Sequence, residues 1–314
     1  MRTEAGAMRH RYGALVVAAL LVSGTALPSP AGAEVRVFAC EPEWASLARA
    51  VGGAAVDAYS ATHARQDPHH IRARPSLIAQ IRRADMLFCS GADLEVGWLP
   101  ILLRRGAGVA VQPGRPGHLM AADHVRLLEK PEVLDRSLGD IHPDGNPHVH
   151  LDPNNVLALA RVFGERLAAT DPGGADAARA GLAEFERRWR EALSGWNSRA
   201  RRLAGMTVVV HHRSWSYLID WIGLRQVATL EPKPGLPPTA THLEAVLRDV
   251  RSAGARAVLR TPYDPSDASA WLSEKAGIPA LVLPFTVDPE RGPRDLFELF
   301  EAILSALEGV HDRR

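Results

Sequence analysis

The 314-residue sequence holds only two cysteines, Cys40 and Cys89, and almost no imbalance of charge, with 37 Lys and Arg against 36 Asp and Glu. Two cysteines cannot build a four-cysteine zinc module or a small disulfide-stapled scaffold. A formal charge of +1 excludes a protein that grips nucleic acid electrostatically, because that requires a large basic excess or a concentrated basic face. Lysine occurs only at positions 130, 233 and 275, a bias we read as the mark of a GC-rich genome. No His-Glu-x-x-His is present, so a local zinc signature is missing too. Beyond residue 33 no stretch is apolar enough to span a bilayer. The remaining composition is that of an ordinary globular chain, long enough for two domains of about 130 residues each.

The first 33 residues have a different character. Arg2, Arg9 and Arg11 precede a short apolar run from Gly13 to Thr25, and Ala31-Gly32-Ala33 follows as a small-x-small site. This is the pattern of a secretory signal peptide cleaved after Ala33, leaving an exported, soluble chain. No cysteine lies near that site, which argues against a lipid anchor. Export also bears on Cys40 and Cys89, each at the end of a strand-like run. If those strands lie side by side, an oxidising compartment favours a disulfide; two buried thiols are the alternative.

Short β-branched runs alternate with helical ones, the signature of an α/β fold with parallel sheets. Val35–Ala39, Ala55–Tyr59, Met86–Cys89 and Val109–Val111 read as strands of a first set, with helices over Pro42–Val51, Pro75–Arg83 and Leu94–Arg105. A loop-rich stretch runs from Gln112 to Pro147. Thr207–Val210, Val227–Leu230, Ala257–Leu259 and Ala280–Leu283 form a second set of strands, alternating with helices over Trp215–Ile222, Thr241–Ala253, Asp267–Ala276 and Arg294–Leu307. Between the sets, Leu182, Phe185, Trp189, Leu193, Trp196, Ala200 and Leu203 recur every three or four residues and share one helical face. A helix from Gly174 to Leu203 would be about 45 Å long, enough to brace both halves and limit hinge motion. The expected organisation is 1–33 signal peptide, 34–172 N-terminal lobe, 173–204 connecting helix and 205–314 C-terminal lobe.

Histidine is the unusual residue, thirteen in all. Three clusters stand where a strand or loop meets a helix: Asp67-Pro68-His69-His70, Asn146-Pro147-His148-Val149-His150 and His211-His212. Ligands of open α/β sheets bind at the carboxyl ends of strands, so the clusters would converge on one cleft between two facing lobes. Singly, each is an ordinary loop or strand-end histidine; together they point to a metal.

These motifs resemble those of the zinc/manganese solute-binding receptors of bacterial ABC uptake systems, the ZnuA- and TroA-like group. The resemblance covers nearly the whole mature chain. It rests on Asp67-Pro68-His69, on Ala84-Asp85-Met86-Leu87-Phe88-Cys89-Ser90-Gly91 with Leu94-Glu95, on Gly145-Asn146-Pro147-His148 with Leu151-Asp152-Pro153, and on His212-Arg213-Ser214-Trp215-Ser216-Tyr217 followed by Gly223-Leu224. It implies two α/β lobes, each with a four-stranded parallel sheet and flanking helices, bridged by one long rigid helix. It implies that His69, His148 and His212 bind metal, in preference to the neighbouring His70, His150 and His211. For the fourth ligand it points to Asp288, in Leu283-Pro284-Phe285-Thr286-Val287-Asp288, one residue out of the family's pattern; Asp295 is the reserve. The implied function is a periplasmic receptor, not an enzyme, that captures zinc and delivers it to an ABC permease. A periplasmic zinc donor protein and a monomeric state belong to the same expectation.

Three imidazoles and a carboxylate suit Zn2+, while Mn2+ favours more oxygen ligands; zinc therefore outranks manganese. Two other functions compete. A secreted zinc hydrolase would keep an open water position and a general base, for which Glu95 is the best-placed residue. A receptor for an organic solute or metal chelate would need an aromatic-lined cleft, drawing on Trp44, Trp98, Trp215 and Tyr217. His118, His124 and His142, in the loop-rich stretch, are either a capture site feeding the cleft or a polar solvated loop.

Overall fold

A computed structural model describes residues 34–132 and 142–313. The expected signal peptide lies outside the described residues. Two four-stranded sheets carry the fold, and every adjacent pair of strands in them is parallel. The first comprises β1 (Val35–Ala39), β2 (Val56–Ser60), β3 (Met86–Cys89) and β4 (His118–Met120), in the order β2-β1-β3-β4. The second comprises β5 (Thr207–Val210), β6 (Arg225–Thr229), β7 (Ala257–Arg260) and β8 (Ala280–Val282), in the equivalent order β6-β5-β7-β8. In each sheet the chain leaves the first strand to one side and returns on the other. That creates a switch point, where strand ends open a crevice for ligands.

Helices α1 (Pro42–Gly52), α2 (Pro75–Ile81), α3 (Leu99–Arg105) and α4 (Pro153–Thr170) belong to the first half; α6 (Ser216–Ile222), α7 (Ala240–Ala253), α8 (Asp267–Ala276) and α9 (Leu296–His311) belong to the second. Proline in the first turn starts α1, α2, α3 and α4, where its missing N–H costs nothing and its fixed φ suits the helix. Left-handed glycines at positions 223, 254 and 277 stop α6, α7 and α8, as C-terminal caps do.

The connecting helix α5 spans Ala175–Leu203. Its Trp189 donates an indole hydrogen bond to the carbonyl of Pro153 at the start of α4, and Trp196 donates to Glu301 on α9. Each tryptophan thus ties the helix to a different half. Helix α5 also lies so close to the end of α1 that a Cβ on Gly181 would stand 2.1 Å from the Val51 carbonyl oxygen. One apolar core runs through both sheets, from Val37 and Phe88 past Trp189 and Trp196 to Val208 and Phe300.

Two sequence expectations are corrected. Val109–Val111 is a single 3-10 turn, and the fourth strand of the first sheet is β4. Three small apolar residues do not commit a segment to a strand; pairing with β3 does, and it is His118–Met120 that pairs with Leu87–Cys89. Helix α4 was not anticipated, although Asp152 caps it by accepting from the Asn154 N–H at 2.8 Å.

Candidate metal centre

His69 follows β2 in a 3-10 turn that Asp67 begins. The Asp67 carboxylate accepts from the His69 backbone N–H at 2.9 Å and pairs with the ring Nδ1 at 2.7 Å. Trp98 Nε1 donates to the Pro68 carbonyl and fixes this turn from behind. His212 directly follows β5 and its neighbour; its Nδ1 lies 2.7 Å from the Glu231 carboxylate, just beyond β6. His148 opens a turn before α4, where the Asn146 side chain accepts its backbone N–H at 3.0 Å.

Asn146 also crosses to the second sheet. Its amide donates to the Arg213 carbonyl at 2.8 Å, and the Tyr217 hydroxyl donates to the Asn146 carbonyl at 2.8 Å while accepting from the Leu128 N–H. The Asn-Pro-His and His-x4-Tyr spacings visible in sequence are therefore two sides of one joint.

The ring nitrogens of His69, His148 and His212 lie within 4.8 Å of one another. A carboxylate at Nδ1 holds the proton there, so Nε2 of His69 and of His212 presents a lone pair, as in metal sites whose outer partners set the tautomer. His148 is fully buried, and neither of its ring nitrogens has a hydrogen-bond partner among the described residues. An unpartnered buried polar group costs about 1–3 kcal/mol, which a bound cation would recover. Burial, then the neighbouring His69 and His212, hold His148 well below the usual imidazole range. Burial alone would lower His212, but the Glu231 hydrogen bond and charge, with the charges of Asp264, which follows β7, and of Asp67, outweigh it and raise it. Burial would likewise raise Asp67, yet the bond from His69 brings its carboxyl below the ordinary value.

Each histidine doublet is thereby resolved. The His70 side chain is 66% exposed. His150 Nε2 donates to the Phe285 carbonyl, and its Nδ1 stands 3.3 Å from Glu43. His211 is buried, 3.9 Å from Glu231. Asp288 is not brought to the group. Its loop closes on itself, with Asp288 N–H donating to Pro293 and Gly292 N–H returning to Asp288. Asp288 lines a separate hollow with Pro42, Arg49 and Thr62, while Phe285 packs on His148 with ring centres 5.3 Å apart. Asp295 caps α9 through the Glu298 N–H.

The loop histidines divide. His118 lies on β4, with Nδ1 bonded to the Val111 carbonyl, and His124 approaches Arg166. His142 instead reaches the site: its Nε2 is 3.2 Å from that of His69, and it lines a cavity of about 420 Å3 with His148 and His212. Position in a polar loop concealed this, and no spacing rule relates it to the other clusters.

Cys40 and Cys89 form a disulfide that joins the ends of adjacent strands β1 and β3. Glu95 accepts from the Ser90 and Gly91 N–H groups and faces the buried Glu41. Burial pushes Glu95 up to about 7, and burial with the charge of Glu95 holds Glu41 higher than an ordinary carboxyl. Glu95 therefore holds a turn in place. Trp44, Trp98 and Trp215 are fully buried and form no aromatic wall for an organic solute.

Two parallel α/β sheets of equivalent strand order, with histidines meeting beyond their strand ends, define a paired α/β architecture. The profile of the family described as zinc-uptake complex component A, periplasmic (ZnuA), matches residues 37–310, and the chain belongs to that family. Among solved structures, a crystal structure of ZnuA superposes with a TM-score of 0.74 at 19% identity, covering 88% of this chain and 99% of the other. The Mn-bound periplasmic metal binding protein from candidatus Liberibacter asiaticus gives 0.72 at 14% identity, covering 88% and 100%. The manganese ABC transporter substrate-binding lipoprotein PsaA of Streptococcus pneumoniae is 23% identical over 49% of this chain and 48% of its own length. The iron ABC transporter substrate-binding lipoprotein MtsA of Streptococcus pyogenes is 23% identical over 59% and 60%. These matches span about half to three-fifths of the curated relatives.

Proposed function

We propose that this protein is an exported zinc receptor that holds one Zn2+ between its two sheets through His69, His148 and His212 and delivers it to an ABC permease. The observation that carries the reading is the buried, unpartnered His148 imidazole between two imidazoles whose Nδ1 protons are fixed by Asp67 and Glu231. Such a cluster is electrostatically costly until a cation arrives. Relatives named for manganese and for iron leave the metal open at the level of the family. Three neutral imidazoles, with Asp288 outside their group, favour zinc over the oxygen-seeking Mn2+. Signal-peptide cleavage after Ala33, a periplasmic location, the lobe boundaries at 172 and 204, a monomeric state and a periplasmic zinc donor complete the proposal. The chain is read as a carrier, since Glu95 is committed to backbone N–H groups and no other base was anticipated at the site.

Metal analysis with competition titration tests this. The expected result is one zinc per chain, preferred over manganese, with His69→Ala, His148→Ala and His212→Ala each weakening it strongly. Unchanged zinc affinity in all three variants would overturn the reading.

A further inference from the structure

We propose that His142 is the fourth metal ligand, completing a four-imidazole site; the inference rests on the receptor reading above. Its ring Nδ1 lies 2.8 Å from the Ala92 carbonyl. A carbonyl only accepts, so Nδ1 carries the proton and Nε2 the lone pair. His69 is in the same state, its Nδ1 proton held by Asp67. Two Nε2 atoms with outward lone pairs thus face each other at 3.2 Å, which is repulsive unless a proton or a cation lies between them. Donors 2.0–2.1 Å from a tetrahedral zinc are about 3.3–3.4 Å apart. The His69–His142 pair already has the length of one edge of that tetrahedron.

The backbone that presents Ala92 supports the assignment independently. Gly91, Ala92 and Asp93 have φ of 77°, 48° and 63°. A left-handed alanine costs about 1–2 kcal/mol, and such strain gathers where a functional geometry demands it. The buried Glu95 carboxylate holds this turn through the Ser90 and Gly91 N–H groups, and the turn directs the Ala92 carbonyl onto His142. Asp67 and Glu231 orient His69 and His212; Ala92 performs the same service for His142.

X-ray absorption of the zinc-loaded protein, with zinc titrations of His142→Ala, His142→Asp, Asp264→Asn and Asp288→Asn, tests the proposal. Four imidazoles are expected in the wild type and three with an added oxygen in His142→Ala. That variant should lose more than the roughly 10–100-fold that removal of an outer partner costs, and His142→Asp should recover part of the loss. Circular dichroism of metal-free His142→Ala should match the wild type, which separates ligand loss from misfolding. Three imidazoles in the wild type, with His142→Ala binding unchanged, would overturn the inference and leave the receptor reading standing. A large loss in Asp264→Asn or Asp288→Asn alone would do the same. A wild type that binds no zinc would overturn both, before any variant is made.

Discussion

Replacing Glu231 by glutamine removes one charge and almost no volume from the group that orients His212. The carboxylate sits 2.7 Å from His212 Nδ1, both side chains are largely buried, and Gly235 N–H donates to the same oxygen. A glutamine oxygen can still accept the Nδ1 proton, so the tautomer survives while the charge-assisted part of the bond is lost. Outer partners of this kind are worth about 10–100-fold in metal affinity, or about 1.4–2.8 kcal/mol. The loss must vary with pH. In the wild type, Glu231, helped by the charges of Asp264 and Asp67, outweighs burial and raises His212 above the ordinary imidazole value, so protons compete with zinc already above about pH 6.5. In Glu231→Gln burial is opposed only by the smaller charge effects of Asp264 and Asp67 and what is left of the hydrogen bond, and that competition moves to lower pH. Competition titrations at pH 8, 7 and 6 should therefore show the largest deficit at pH 8 and a smaller one at pH 6. The metal-free protein has its own signature. A raised His212 contributes stability that is fully present below the unfolded value and lost as pH rises through the folded one. Glu231→Gln should lose folding stability chiefly on the acid side. A deficit of equal size at all three pH values, or none at pH 8, would refute the account of His212.

Breaking the Cys40–Cys89 bridge, by the double serine variant, should cost about 4 kcal/mol for a loop of this length, since 49 residues separate the two; urea unfolding with and without reductant measures it. Tyr217→Phe leaves the Leu128 N–H without its acceptor and removes the bond to the Asn146 carbonyl. It should destabilise the protein by about 1–3 kcal/mol in thermal unfolding and weaken zinc binding by loosening the turn that carries His148.

The sheets were legible because buried parallel strands read as continuous apolar runs: β1 and β3 were located to the residue, and the α5 face from Leu182 to Leu203 stands out at helical spacing. Strand β4 was not, because it opens on His118 and owes its existence to pairing with β3. The three histidines that the structure brings together were legible through their motifs, and the geometry explains those motifs: Asp67 pairs with His69 Nδ1, Asn146 turns the chain at His148, and Tyr217 locks that turn to the second sheet. The position of Asp288 was not, since its loop closes on itself through Pro293 and Gly292 and sets it beside a separate hollow. His142 carries no local signal at all. Its role depends on a left-handed alanine fifty residues away in sequence, a tertiary fact.

The way the halves are joined decides how an ion enters and leaves. The apolar core passes from one sheet to the other without a break, and α5 is pinned to α4 by Trp189 and to α9 by Trp196. Beside the histidines, Thr286 donates to Glu43, His150 to the Phe285 carbonyl, and Asn146 to the Arg213 carbonyl. A wide hinge opening would expose that core and break all three polar ties together, at a cost of several kcal/mol. Exchange by local movement is cheaper. His69, His148 and His212 are anchored by turns packed on the sheets, whereas His142, among the described residues, meets the site through its ring and is held there by the Ala92 carbonyl. If the four imidazoles hold the ion as proposed, moving that one side chain would open one corner of the site and leave the other three in place. On the four-imidazole proposal, capture would be the closing of a fourth position over the three-histidine group, and release would begin by lifting it.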